Sequence, residues 1–156
     1  MMRGDAGPSR GGPGKPTMTM NPIQALLAFT MWTFALVVGV LLYRGLRFLR
    51  GTPINHWPRS AKPGDDAPLV RRLEDAHANC LENLPIFAVL VGVAVATGQA
   101  ALIAPVAGWV PLARVGQSLA HLSGTGQVAV FVRAGFWVLQ LLAFGWMGLK
   151  LLQLVS

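Results

Sequence analysis

The chain has 156 residues, of which 53% are hydrophobic and 12% charged. That charged share is well below the roughly 25% of soluble domains, and the apolar residues come in long runs. This excludes a soluble globular protein in favour of an integral membrane protein with one helical domain. The formal net charge of +7 would suggest nucleic acid in a soluble chain. Here the basic residues cluster beside apolar runs, so anionic lipid headgroups account for them and no nucleic-acid partner is expected.

Residues 1–20 are rich in Gly, Pro and Arg and lack apolar periodicity, which predicts a disordered tail. Residues 21–156 read as a four-span membrane domain, an all-α, four-helix transmembrane bundle. The first span starts at Asn21-Pro22, an N-cap followed by proline at the first helical position, and covers about 22–49. Residues 51–68 form a loop, because Pro53, Pro58, Pro63 and Pro68 prevent a regular helix. Asp65-Asp66 before Pro68 marks the start of the second helix, over 68–97. At about 1.5 Å per residue that helix is roughly 45 Å long, so its first turns protrude from a hydrocarbon core of about 30 Å. Pro85 removes one backbone bond and predicts a kink. Gly98-Gln99 is a turn, the third span is placed at 101–122 despite Pro105 and Pro111, Gly124-Thr125-Gly126 is a second turn, and the fourth span covers 128–152.

Lysine and arginine counts set the orientation. The 44–72 region carries Arg44, Arg47, Arg50, Arg59, Lys62, Arg71 and Arg72, so the 51–68 loop is expected in the cytoplasm with both termini outside. The turn at 123–127 then lies on the same side. Arg114 near the end of span three and Arg133 near the start of span four reach a depth similar to the ionisable groups opening span two.

Those groups form a polar stripe. At about 100° per residue, Arg71, Arg72, Asp75, Asn79, Glu82 and Asn83 share one side of the second helix, while His77 points almost oppositely. Charges within a span cost roughly 2.5–3.5 kcal/mol each on insertion scales and so face partners or a water-filled site. Glu82, about 10 Å deeper than Asp75, is expected to pair with Arg114 or Arg133, within the subunit or across an interface. Each member also has a plain structural reading: Asn79 as an interhelical hydrogen bond, Asp75 as a solvated interfacial charge, His77 and His121 as interfacial residues. Cys80, the single cysteine, reads as a small packing residue. No metal site is expected, since no paired ligands stand at helical spacing.

Ala76-His77-Ala78-Asn79-Cys80-Leu81-Glu82-Asn83-Leu84-Pro85-Ile86-Phe87 resembles A-H-x-N-x-x-E-x-x-P-x-F, a motif of the membrane-associated proteins in eicosanoid and glutathione metabolism (MAPEG). Ala113-Arg114-Val115 with Leu119-Ala120-His121-Leu122-Ser123-Gly124, and then Arg133-Ala134-Gly135-Phe136, follow the family's order. The likeness covers about residues 22–152 and is greatest to bacterial members, whose setting implies a bacterial inner membrane. It implies four-helix subunits assembled as homotrimers, with glutathione as co-substrate bound between subunits. It assigns glutathione contacts to Asn79, Glu82 and Arg114, and gives Arg133 the catalytic role of stabilising the thiolate. Arg44 or Arg47 matches a basic residue closing span one, and Arg44 is counted among the glutathione contacts that the resemblance implies.

Three positions depart from the family pattern. Asp75 stands where arginine is common, Gln117 where histidine is frequent, and His121 where the eicosanoid enzymes have tyrosine. Two main functions are therefore expected from this chain. One is a glutathione-dependent transferase or peroxidase acting on lipophilic electrophiles. The other is a non-enzymatic scaffold or ligand-binding protein that keeps the fold without the chemistry. A small exporter with Glu82 as its proton-coupled site fits less well, given the long 51–68 loop and the additional arginines.

Overall fold

A computed structural model of the chain describes residues 20–58 and 62–153. The expected tail therefore lies, except for Met20, outside the described residues. Five α-helices follow in order: α1 Pro22–Leu49, α2 Pro68–Ala96, α3 Ala100–Ala107, α4 Trp109–Ser123 and α5 Gln127–Leu152, with a single 3-10 turn at Ile54–His56. Among the described residues there is no strand, and α1, α2 and α5 are each long and apolar enough to cross a membrane.

Local chemistry fixes the ends of these helices. The Asn21 side chain accepts from the Ile23 N–H while Gln24 Oε1 accepts from the Asn21 N–H, a reciprocal cap over the first turn of α1. At the far end of α2, Gly98 takes φ +70°, a left-handed conformation open to glycine at no steric cost. It lets the Gln99 and Gly98 N–H groups return to the Ala94 and Val95 carbonyls. Pro85 lies on an exposed side of α2, which continues as one helix through it.

The third leg of the bundle differs from the single span read at 101–122. It is two helices, broken at Gly108. Pro105 and Pro111 each lack the N–H that an uninterrupted helix needs, and the Pro111 ring would collide with the Ala107 carbonyl, so the chain is re-aimed between them. At about 1.5 Å per residue the two pieces span roughly 12 and 22 Å, each too short alone for a bilayer core of about 30 Å.

α2 touches every other helix; α1 packs mainly on it, and α4 mainly on α5. The core is a tilted stack of aromatic rings from three helices: Phe29 lies 6.1 Å from Phe87, and Phe87 lies 6.0 Å from Phe144. α4 and α5 approach closely at Gly116, where any Cβ would fall 2.7 Å from the Phe136 ring.

The loop is clamped rather than merely irregular. Asp66, expected to open α2, is buried and accepts instead from Arg47 Nη1 (2.8 Å), Trp57 Nε1 (3.0 Å) and the Tyr43 hydroxyl (3.3 Å). That hydroxyl in turn accepts from the Ala67 N–H at 3.0 Å. α2 therefore starts at Pro68, with Ala67 as an N-cap that offers no side-chain hydrogen bond. Asp65 holds Arg47 Nη2 at 2.7 Å and has His56 Nε2 at 3.0 Å. The Arg47 hydrogen bond keeps the Asp65 carboxyl below the usual carboxylate range.

Candidate functional site

α2, α4 and α5 together build an open cleft of about 440 Å³ whose polar lining is Asn79, Glu82, Gln117, His121 and Arg133, with Trp137 beside them. The spacing explains the convergence. Asn79 and Glu82 are three residues apart on α2, Gln117 and His121 four apart on α4, and Arg133 and Trp137 four apart on α5, so each helix contributes one face.

Beneath the cleft lies Arg114, 1% exposed. Its Nη1 donates to the side-chain oxygen of Asn79 and, at 3.4 Å, to the Asn79 carbonyl. The guanidinium stands 5.2 Å over the Phe29 ring, a cation–π contact. Nε and Nη2 are buried without a hydrogen-bond partner. Asn79 is tied down twice, because its carbonyl also accepts from Asn83 Nδ2 at 3.0 Å. Further back, Ser118 Oγ donates to the Arg114 carbonyl and accepts from Trp32 Nε1, with Cys80 Sγ at 3.9 Å. Cys80 is fully buried, in keeping with a packing role.

On the opposite wall, Arg133 Nη1 lies 3.1 Å from His121 Nδ1. Gln117 Oε1 accepts from Gln140 Nε2 at 3.0 Å, and Gln140 Nε2 also reaches the Phe136 carbonyl. Gln140 is buried, with its Oε1 unpartnered. It also lines a second space, an apolar groove of about 910 Å³ along α3, α4 and α5 bordered by Trp109, Val110, Phe136 and Trp146. The Gln117–Gln140 hydrogen bond is thus the partition between a polar cleft and an apolar groove.

Of the residues assigned to the site from sequence, Asn79, Glu82 and Arg133 line the cleft together. Arg114 supports it from below. Arg44 lies elsewhere: its Nη2 is 2.6 Å from Glu74 Oε1 and its guanidinium 5.7 Å over Trp57. The expected ion pair of Glu82 with Arg114 or Arg133 does not form within the subunit. Glu82 is exposed, and Arg114 has turned inward to Asn79. Asp75, at the mouth of α2, pairs with Lys62. His121, taken from sequence as interfacial, and Gln117, noted only as a departure, both line the cleft. Gln140 went unnoticed, although it stands seven residues after Arg133 on the same face of α5.

His56, Asp65 and Asp66 bring three potential ligand atoms within 4.8 Å of one another. Arg47 already sits on both carboxylates, so the cluster serves as the loop clamp.

The sequence model of the MAPEG family matches residues 23–153. No curated protein and no solved structure matches the chain.

Proposed function

Since the chain belongs to the MAPEG family, we propose that this integral membrane protein is a glutathione-dependent transferase or peroxidase for lipophilic electrophiles. The observation that carries the reading is the adjacency of the two spaces. A cleft holding an arginine suits an anionic thiol, and the apolar groove behind the Gln117–Gln140 partition suits a substrate arriving from lipid. In this reading Arg133 stabilises the thiolate, since a nearby cation lowers a thiol pKa and raises the reactive fraction. The thiolate sulfur then forms a bond to the electrophilic carbon as the bond to the leaving group breaks, the leaving group departing with its electron pair and taking a proton from water. Glu82 receives the ammonium of the γ-glutamyl group, and Asn79, oriented by Arg114, contacts the peptide. Arg44 plays no part, because its guanidinium is committed to Glu74 and Trp57.

The working unit is a homotrimer in a bacterial inner membrane, with the 51–68 loop in the cytoplasm. Support for assembly comes from Glu82. A carboxylate exposed on one subunit at that depth is costly in lipid and calls for a polar cover from a neighbour.

A scaffold function is favoured by one observation only: Asn79 with Arg114, and Gln117 with Gln140, already satisfy one another. Calorimetric titration of the purified, detergent-solubilised protein with glutathione separates the two. Saturable binding that weakens in Arg133→Ala and Glu82→Gln is expected. Silence at millimolar thiol would overturn the transferase reading.

A further inference from the structure

We infer that His121 is a positioning residue for Arg133, holding the guanidinium toward the cleft through an acceptor nitrogen that exists only while the ring is neutral. The inference rests on the transferase reading for its consequence, but its geometry stands on its own. Arginine has donors and no acceptor, so at 3.1 Å the His121 Nδ1 must accept, and the ring hydrogen resides on Nε2. The bond joins the last turns of α4 to the second turn of α5 across the 124–126 turn. One Nη of Arg133 is thereby fixed, and the other donors remain for an anion in the cleft.

The charged groups that face the ring are Arg133 on α5, Arg114 on α4, and Asp75 and Glu82 on α2. Protonation turns the acceptor into a second donor beside a cation. Arg133 is then released, and the thiolate loses its partner. A tyrosine at this position would neither titrate in this range nor offer an unprotonated ring nitrogen. This chain therefore couples thiolate stabilisation to a histidine.

Nitrogen NMR of ¹⁵N-histidine-labelled protein in detergent tests the geometry without glutathione. The His121 signal is identified as the one lost in His121→Asn. The expected neutral form carries its hydrogen on Nε2, and Arg133→Gln moves the His121 titration to higher pH. An Nδ1-protonated ring, or a titration indifferent to Arg133→Gln, overturns the inference even where glutathione binds.

The consequence is read from the ultraviolet absorbance of the bound thiolate. His121→Leu raises the bound thiol's pKa by about one unit, roughly a tenfold loss of thiolate at fixed acidic pH. His121→Asn, whose amide oxygen can accept in place of Nδ1, restores it. In turnover the acid limb of kcat flattens from two protons to one in His121→Asn. Equal behaviour of the Leu and Asn variants overturns the positioning role. Failure of glutathione to bind at all would remove the transferase reading, and the tautomer would still decide the Arg133–His121 relation.

Discussion

Arg114 carries a full charge with almost no exposure, and its direct hydrogen bonds go to one residue, Asn79. A hydrogen bond to a charged group contributes about 1.5–3 kcal/mol, and its loss leaves the cation poorer still. Asn79→Ala is therefore expected to destabilise the protein by about that amount, read as a lowered unfolding temperature in a mild detergent. Asn79→Asp, which brings a counter-charge, should retain more of the stability. Asn79→Ala unfolding like the parent would show that Arg114 finds its partners elsewhere. The polar stripe brings Asn79 and Glu82 to one cleft with Arg133, with Arg114 bonded to Asn79, but the pairing of Glu82 with Arg114 or Arg133 does not form within the subunit. Which way Arg114 points depends on the rotational phase of α4. The break at Gly108 sets that phase, and periodicity over a single 101–122 span carries no information about it. His121 and Gln117 escaped for another reason: a polar residue near a helix end reads as interfacial until the facing helix is known to supply Arg133 or Gln140.

The elements whose ends are written locally were the legible ones. Asn21, Pro22 and Gln24 form a cap within four residues, and the Gly98 turn is equally local. The loop clamp is not local. It joins Tyr43 and Arg47 on α1 to Trp57 and Asp66 across a stretch whose prolines announce only that no helix forms there. Asp66→Ala should cost about 3 kcal/mol, because Arg47 and the half-buried donors of Trp57 and Tyr43 all lose their acceptor. Asp65, at the exposed rim, supplies a pH-dependent share. Its folded pKa lies below the unfolded value because Arg47 stabilises the carboxylate. Its contribution is thus complete above the ordinary carboxylate range and is lost as pH falls through the folded pKa. Unfolding temperatures of the parent and Asp65→Asn should differ at neutral pH and converge in acid. A gap that persists unchanged into strong acid would mean that the Asp65–Arg47 pair contributes nothing.

For the whole molecule, orientation and assembly are linked through the polar cleft. Arg44, Arg47, Arg50, Arg71 and Arg72 sit at the adjoining ends of α1 and α2, so the positive-inside rule predicts that this end and the cleft face the cytoplasm. Cys80 is fully buried, so a single cysteine introduced into the 51–58 segment can be probed with Cys80 left in place. An impermeant thiol reagent added to intact cells should leave it unlabelled until the membrane is opened; ready labelling would invert the topology. The same depth argument bears on Glu82. On the helix axis it lies about 10 Å beyond Asp75, which keeps Lys62 for company, whereas Glu82 has neither Arg114 nor Arg133 as an ion-pair partner in its own subunit. If a lone chain were the membrane form, that carboxylate would face hydrocarbon at a cost of several kcal/mol. On the proposed reading, a neighbouring copy closing the cleft would remove the cost and exclude water from the thiol. Native mass spectrometry from mild detergent should therefore give a trimer for the parent. Glu82→Gln should remain a trimer with nearly the parent's unfolding temperature, because an amide is easily accommodated, yet bind glutathione more weakly. A clean monomer would leave Glu82 without its cover, and the interface reading of the cleft would fail with it.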